Sequence, residues 1–164
     1  MSAFTYSTMS HADFMAFWPT FQHIVAAQET YAIEPDISAE DAYRLWCLAP
    51  RATLAVKDET GSILGTYYLK PNAAGPGNHV CNCGYMVAPD ARGKGVARAM
   101  CERSQQLARE LGFSAMQFNA VVATNEVAVA LWQRLGFAIV GTVPNAYRHA
   151  HLGEVDTYVM HKPL

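Results

Sequence analysis

Gly84-Tyr85-Met86-Val87-Ala88-Pro89-Asp90-Ala91-Arg92-Gly93-Lys94-Gly95-Val96-Ala97-Arg98-Ala99-Met100-Cys101 is the stretch from which the rest of the chain can be read. An apolar run ends at Val87, a turn holding two glycines follows, and a helical pattern begins at Val96. The first turn of a helix carries backbone N–H groups without intrahelical partners and about half a positive charge, so a phosphate placed there is bound by the main chain itself. Gly93 and Gly95 permit positive φ and a close approach of backbone to ligand, while Arg92 and Lys94 add mobile charge. The stretch therefore reads as strand, anion cradle and helix.

The 164 residues carry a net charge of −2, which suits one domain over 1–164 with a sizeable core and argues against nucleic acid or an anionic membrane as partner. No apolar run is long enough to span a bilayer, and Thr5-Tyr6-Ser7-Thr8 without a basic lead is unlike a signal peptide, so the expected compartment is the cytoplasm. His79, Cys81 and Cys83 alternate on one strand face. The outer two of such a trio lie about 13 Å apart, too far to share a zinc ion, so no metal is expected and the cysteines read as buried thiols.

Working outward, the pattern predicts a strand at Ala3 to Ser7, a helix capped by Ser10 that Pro19 kinks or splits, and a second helix announced by Ser38-Ala39-Glu40-Asp41. Thr53 to Val56 and Ile63 to Leu69 form a hairpin around Asp58 to Gly61, and Val80 to Val87 is the strand before the cradle. A helix ending at Gly112, a strand at Ala115 to Val122 and a helix from Asn125 to Leu135 come next. A last strand pair, Phe137 to Val143 and Val155 to His161, flanks a polar loop from Pro144 to Gly153. The order is β-α-α-β-β-β-α-β-α-β-β, and only Val80 to Val121 has the β-α-β form that makes neighbouring strands parallel.

Several owners of a phosphate-binding turn are excluded by single residues. A P-loop requires Ser or Thr after the lysine, and Lys94 is followed by Gly95. A dinucleotide fold requires a third small residue where Arg98 stands, and an acidic residue where the next strand ends in Val121 and Val122. What survives is Val87-x-Pro89-x-x-Arg92-Gly93-x-Gly95-Val96-Ala97, which resembles the acetyl-coenzyme A signature of the GNAT superfamily of N-acetyltransferases. Downstream, Asn125-x-x-Ala128-x-x-x-Trp132-x-x-x-Gly136-Phe137 resembles that family's second motif, and the element order agrees along nearly the whole chain. Independently of the family, residues 125, 128 and 132 share one helix face.

The resemblance implies an α/β GNAT fold: a mixed, mostly antiparallel sheet with a splayed parallel central pair and helices on both faces. It implies acetyl-CoA as cosubstrate, with direct transfer to an amine and no covalent acetyl-enzyme. Tyr85 and Asn119 are the expected catalytic residues, the Tyr85 backbone N–H polarising the acetyl carbonyl. Met86, Val87, Arg92, Gly93, Lys94, Gly95, Val96, Ala97, Asn125 and Trp132 are expected to bind the cofactor, with Asn125 also a fitting helix N-cap. Trp132 stands where the family often has a tyrosine that protonates the departing thiolate. A thiol of pKa about 8.5 leaves tolerably without that help, and Tyr85 and Tyr147 are the alternative acids.

On the acceptor side, Asn82 and Asn119 interrupt apolar strands, which is costly unless they face a cleft, and they are the expected substrate-binding residues. With Asn125 and the segment Arg148 to Asp156 they resemble the fungal azetidine-2-carboxylate acetyltransferases, which acylate proline-like imino acids. A small-molecule amine is thus the expected acceptor, a homodimer is compatible with the resemblance, and His79, His149, His151, Glu29, Glu154 and Asp156 are candidate bases. The alternatives are a protein N-terminus or lysine as acceptor, or a CoA-binding sensor without chemistry.

Overall fold

A computed structural model describes residues 3–164. Its elements are β1 (Thr5–Thr8), α1 (His11–Ala26), α2 (Ala39–Tyr43), β2 (Ala52–Lys57), β3 (Ile63–Pro71), β4 (Val80–Val87), α3 (Val96–Glu110), β5 (Ala115–Val122), α4 (Glu126–Arg134), β6 (Ala138–His149) and β7 (Gly153–Pro163). A π-helical turn, Arg44–Leu48, extends α2. The strands form one sheet in the order β1-β2-β3-β4-β5-β7-β6, with β4 and β5 its parallel neighbours and every other pair antiparallel. This is the expected mixed sheet.

α1 starts where a capping box closes: Ser10 Oγ accepts from the Asp13 N–H at 3.0 Å, and the Asp13 carboxylate accepts from the Ser10 N–H at 3.2 Å. Phe14, Phe17, Phe21, Ile24 and Val25 then form its buried stripe. Pro19 neither splits nor ends the helix. It lies on the exposed face, where water can serve the carbonyl it leaves unpaired, while the phenylalanines on either side are anchored in the core.

The expected loop from Pro144 to Gly153 is also corrected. β6 runs through to His149 and β7 begins at Gly153, leaving a turn of three residues. The strand passes Pro144 by bulging between Val143 and Tyr147, with Asn145 at φ 51°. β6 is an edge strand exposed over most of its length, so its polar composition matches that of a loop.

The feature that positions everything below is the brevity of the β4–β5 ladder. Only Val80↔Ala115 and Cys81↔Met116 pair, after which the strands part. Two apolar clusters fill the molecule on either side of the fork. One is built around Phe14, Phe21, Trp46 and Tyr67, the other around Cys101, Met116, Phe118, Trp132 and Met160, and Tyr85 packs against both.

Candidate active site

The cradle forms because α3 opens on a left-handed residue. Gly93 and Gly95 sit at φ 77° and 79°, and Gly95 is the N-cap of α3 with no side-chain bond of its own. Among the described residues, the N–H groups of Gly93, Gly95, Val96, Ala97 and Arg98 find no protein acceptor. A Cβ at Gly93 or Gly95 would meet nothing within 4 Å, so the space beside these amides is open. Arg92 and Lys94 flank it, exposed. Five unpaired N–H donors at and just before a helix N-terminus suit a pyrophosphate.

From the cradle a cavity of about 480 Å³ runs into the fork, bordered by Met86, Val87, Arg92, Ala97, Asn125, Ala128 and Trp132 on one side and by Tyr31, Tyr68, Lys70, Asn82 and Asn119 on the other. The pleat decides which main-chain groups of β4 enter it. The Ala88 N–H donates to the Leu64 carbonyl at 2.8 Å, and by alternation Met86, Gly84 and Asn82 turn their backbone to β3, leaving Tyr85 and Val87 to face the gap. Met86 is itself buried at 2% exposure, its side chain in the core.

The Tyr85 N–H is already in use. It donates to Tyr31 Oη at 2.8 Å, and the same hydroxyl donates to the Tyr85 carbonyl. The Tyr85 side chain points elsewhere, with its hydroxyl 2.7 Å from Ser104 Oγ and burial pushing its phenol up. Tyr147, the other alternative acid, donates to the Tyr31 carbonyl at 3.0 Å. Both phenols are thus taken up in internal bonds. Tyr31 was not singled out by its sequence context, a polar loop after α1, because the residue it meets lies 54 positions away.

Asn82 and Asn119 both reach the cavity, in different conditions. Asn82 is buried at 6% exposure and bridges the fork: its Nδ2 donates to the Gln117 carbonyl at 2.9 Å, one residue past the last ladder pair, and its Oδ1 accepts from Tyr68 Oη at 3.0 Å. The side chain continues the ladder where the strands have already separated. Tyr68 reaches it by lying over Gly84, where a Cβ would stand 2.5 Å from the ring. Asn119, expected inside a regular strand, lies instead in a bulge between Phe118 and Val121 and is exposed. It donates to Asn72 Oδ1 at 2.8 Å and accepts from Gln117 Nε2 at 3.1 Å, with one amide N–H left over.

Asn125 caps α4, its Oδ1 accepting from the Ala128 N–H at 3.4 Å, and borders the cavity at the same time. Trp132 is 8% exposed and packs on Tyr85 and Phe118 with ring centroids 5.1 and 5.3 Å away. An indole N–H is no acid, so Trp132→Tyr is expected to alter turnover by no more than about threefold and to move only the alkaline limb of the pH–rate profile. A gain of tenfold or more would show that thiolate departure is limiting.

None of His79, His149, His151, Glu29, Glu154 and Asp156 borders the cavity. His149 Nδ1 accepts from the N–H groups of His151 and Leu152 at 3.1 and 3.3 Å, and Asp156 accepts from the Asn145 N–H at 3.0 Å. His151 lies 3.7 Å from Glu29 on the surface. Among the described residues that border the cavity there is no carboxylate and no imidazole, whereas Lys70 and Arg92 are present. Cys81, Cys83 and Cys101 are free and buried, no group of three or more metal-ligating side chains comes together, and no helix is long and apolar enough to cross a membrane, again among the described residues.

Comparison with known proteins gives this geometry its relatives. A family model for the acetyltransferase (GNAT) family matches residues 16–137. The structure of a GCN5-related N-acetyltransferase from Kribbella flavida superposes with a TM-score of 0.93 at 46% identity, covering 99% of this chain and 98% of that one. N-acetyltransferase aca1 of Schizosaccharomyces pombe is 39% identical over 112 residues, which are 68% of this chain and 54% of that protein. The chain spans about half, or less, of the length of the curated relatives it matches. A phosphinothricin acetyltransferase from Sinorhizobium meliloti in complex with AcCoA shares the fold, with a TM-score of 0.83 at 23% identity over 100% of this chain and 89% of that one.

Proposed function

The chain belongs to the GNAT acetyltransferase family, and from that premise we propose that it transfers acetyl from acetyl-CoA to the amine of a small amino or imino acid. The thioester supplies an acyl carbon open to attack by an amine. In this reading the free amides of Gly93, Gly95, Val96, Ala97 and Arg98 hold the pyrophosphate, and Arg92 and Lys94 neutralise it from solvent. The gap-facing main chain of Val87, with Met86, Asn125 and Trp132 around it, receives the pantetheine arm. The Tyr85 N–H polarises the acyl carbonyl, a placement that can be worth about 3 kcal/mol to the transition state. Asn119 orients the acceptor with its spare N–H, and Asn82 keeps the fork open at the width the reaction needs.

One observation carries the choice of acceptor: among the described residues, the cavity wall has cations and amides and no acid. A polyamine or a lysine side chain brings positive charge and asks for carboxylates, whereas a small zwitterion brings a carboxylate that Lys70 and the asparagine amides can hold. The azetidine-2-carboxylate resemblance points the same way. With no carboxylate or imidazole among the described residues of the cavity wall, the acceptor is expected to arrive as free amine, so turnover rises with pH as the acceptor sheds its own proton. The test is an acetyl-CoA-dependent screen of azetidine-2-carboxylate, proline, other amino acids, polyamines and short peptides, read by thiol release. Turnover confined to polyamines or peptides would overturn the acceptor reading, and tight acetyl-CoA binding without turnover on any of them would leave a CoA-binding sensor.

A further inference from the structure

β4 leaves β5 at Cys81, so from there on every main-chain group of β4 that faces the gap needs a partner other than a strand. At Tyr85 that partner is a single hydroxyl, Tyr31 Oη, which accepts from the N–H at 2.8 Å and donates to the C=O. Its position is held from three directions. The ring stands edge-on to Trp46 with centroids 5.9 Å apart, the Tyr31 carbonyl accepts from Tyr147 Oη at 3.0 Å, and the Ala150 N–H donates to the Gln28 carbonyl at 3.0 Å, tying the same loop to the β6–β7 turn. The hydroxyl thus occupies the place, beside the Tyr85 N–H, that the reading above gives to the acyl carbonyl oxygen.

We propose that Tyr31 is a catalytic residue: its hydroxyl fills the acyl-carbonyl site in the free protein and, displaced by the thioester, turns its O–H to that carbonyl oxygen as a second donor beside the Tyr85 N–H. The inference rests on the proposed role of the Tyr85 N–H. A hydroxyl bonded to that nitrogen has to move by only about one hydrogen-bond length to lie next to an oxygen that replaces it. When the amine nitrogen bonds to the acyl carbon, the carbonyl π pair moves onto oxygen. When the C–S bond breaks, sulfur takes that bond's electrons and the carbonyl re-forms. The proton lost by the amine goes to water, and Tyr31 keeps its own throughout. A donor that strengthens only while oxygen carries charge lowers the barrier without tightening the ground state.

Tyr31→Phe removes one oxygen atom. Its kcat is expected to fall about tenfold while the KM for acetyl-CoA stays the same or decreases, because the competitor for the acyl site is gone. An unchanged kcat, or a KM that rises in step with a fall in stability, would overturn the proposal. The second measurement leaves the fold untouched. 3-Fluorotyrosine at position 31 is followed by fluorine NMR, and the Tyr85 amide by nitrogen-15 NMR, during titration with S-acetonyl-CoA, which carries the carbonyl without a leaving group, and with CoA. Movement of both signals with S-acetonyl-CoA and of neither with CoA is expected. A Tyr85 amide that moves while the fluorine signal stays put removes Tyr31 from the reaction and leaves the Tyr85 reading standing. If neither signal responds to the carbonyl, the Tyr85 reading fails and the proposal with it.

Discussion

Gly95→Asp is expected to weaken acetyl-CoA binding about a hundredfold in calorimetry, with the fold retained. Two physical effects meet at this residue and can be separated. Gly95 sits at φ 79°, where a side chain costs about 1–2 kcal/mol. That cost falls mainly on stability, so Gly95→Ala reports it alone. The aspartate adds a negative charge in the open space beside the unpaired amides of α3, where the pyrophosphate is proposed to lie. Two like charges about 4 Å apart repel by about 4 kcal/mol at an effective dielectric constant near 20, and salt and rotation of the side chain reduce that to about 2–3 kcal/mol. A Gly95→Asp protein that binds acetyl-CoA like its parent would remove the cradle from the site.

The second large effect separates the two strand asparagines. Asn119→Ala should lower kcat/KM for the acceptor by about ten- to a hundredfold and leave acetyl-CoA affinity and melting temperature nearly unchanged. Asn119 is exposed in its bulge, so its loss leaves no buried group unpaired. Asn82→Ala should lower activity too, but with a stability loss of about 1–3 kcal/mol. It strands a half-buried hydroxyl on Tyr68 and a carbonyl on Gln117 at the point where the sheet divides. Equal melting temperatures for the two variants would mean that the Asn82 bridge does not hold the fork, and equal acceptor kinetics for Asn119→Ala and the parent would take Asn119 out of the site.

What could be read in the chain without coordinates was whatever depends on near neighbours. The cradle is local, because left-handed φ at Gly93 and Gly95 and the free amides of a first helical turn are consequences of a few adjacent residues. The same holds for the N-cap at Ser10, the Asp58 to Gly61 turn and the shared face of Asn125, Ala128 and Trp132. Two motifs of this local kind, at Val87 to Ala97 and at Asn125 to Phe137, carried the resemblance to the family, and the resemblance implied the architecture. Local patterns failed at Pro19 and at Pro144 to Gly153, where burial of distant neighbours and pairing with β7 overrode what proline and polar composition favour.

The state of the site came from contacts that no spacing encodes. Asn82 and Asn119 look alike in sequence, each a polar interruption of an apolar strand. One became a buried clamp and the other an exposed group in a bulge because the β4–β5 ladder stops after two pairs and β5 changes register against β7. The absence of acid among the described residues of the cavity wall follows from which strand faces and loops converge on it, and the six candidate bases all lie outside that wall. Tyr31 is the clearest case. Its partner is a main-chain N–H and C=O far along the chain, and backbone groups carry no residue identity to betray the pairing. Local chemistry settled the left-handed turn at Gly93 and Gly95 and the free amides behind it, and the long-range packing of the fork settled what stands next to them.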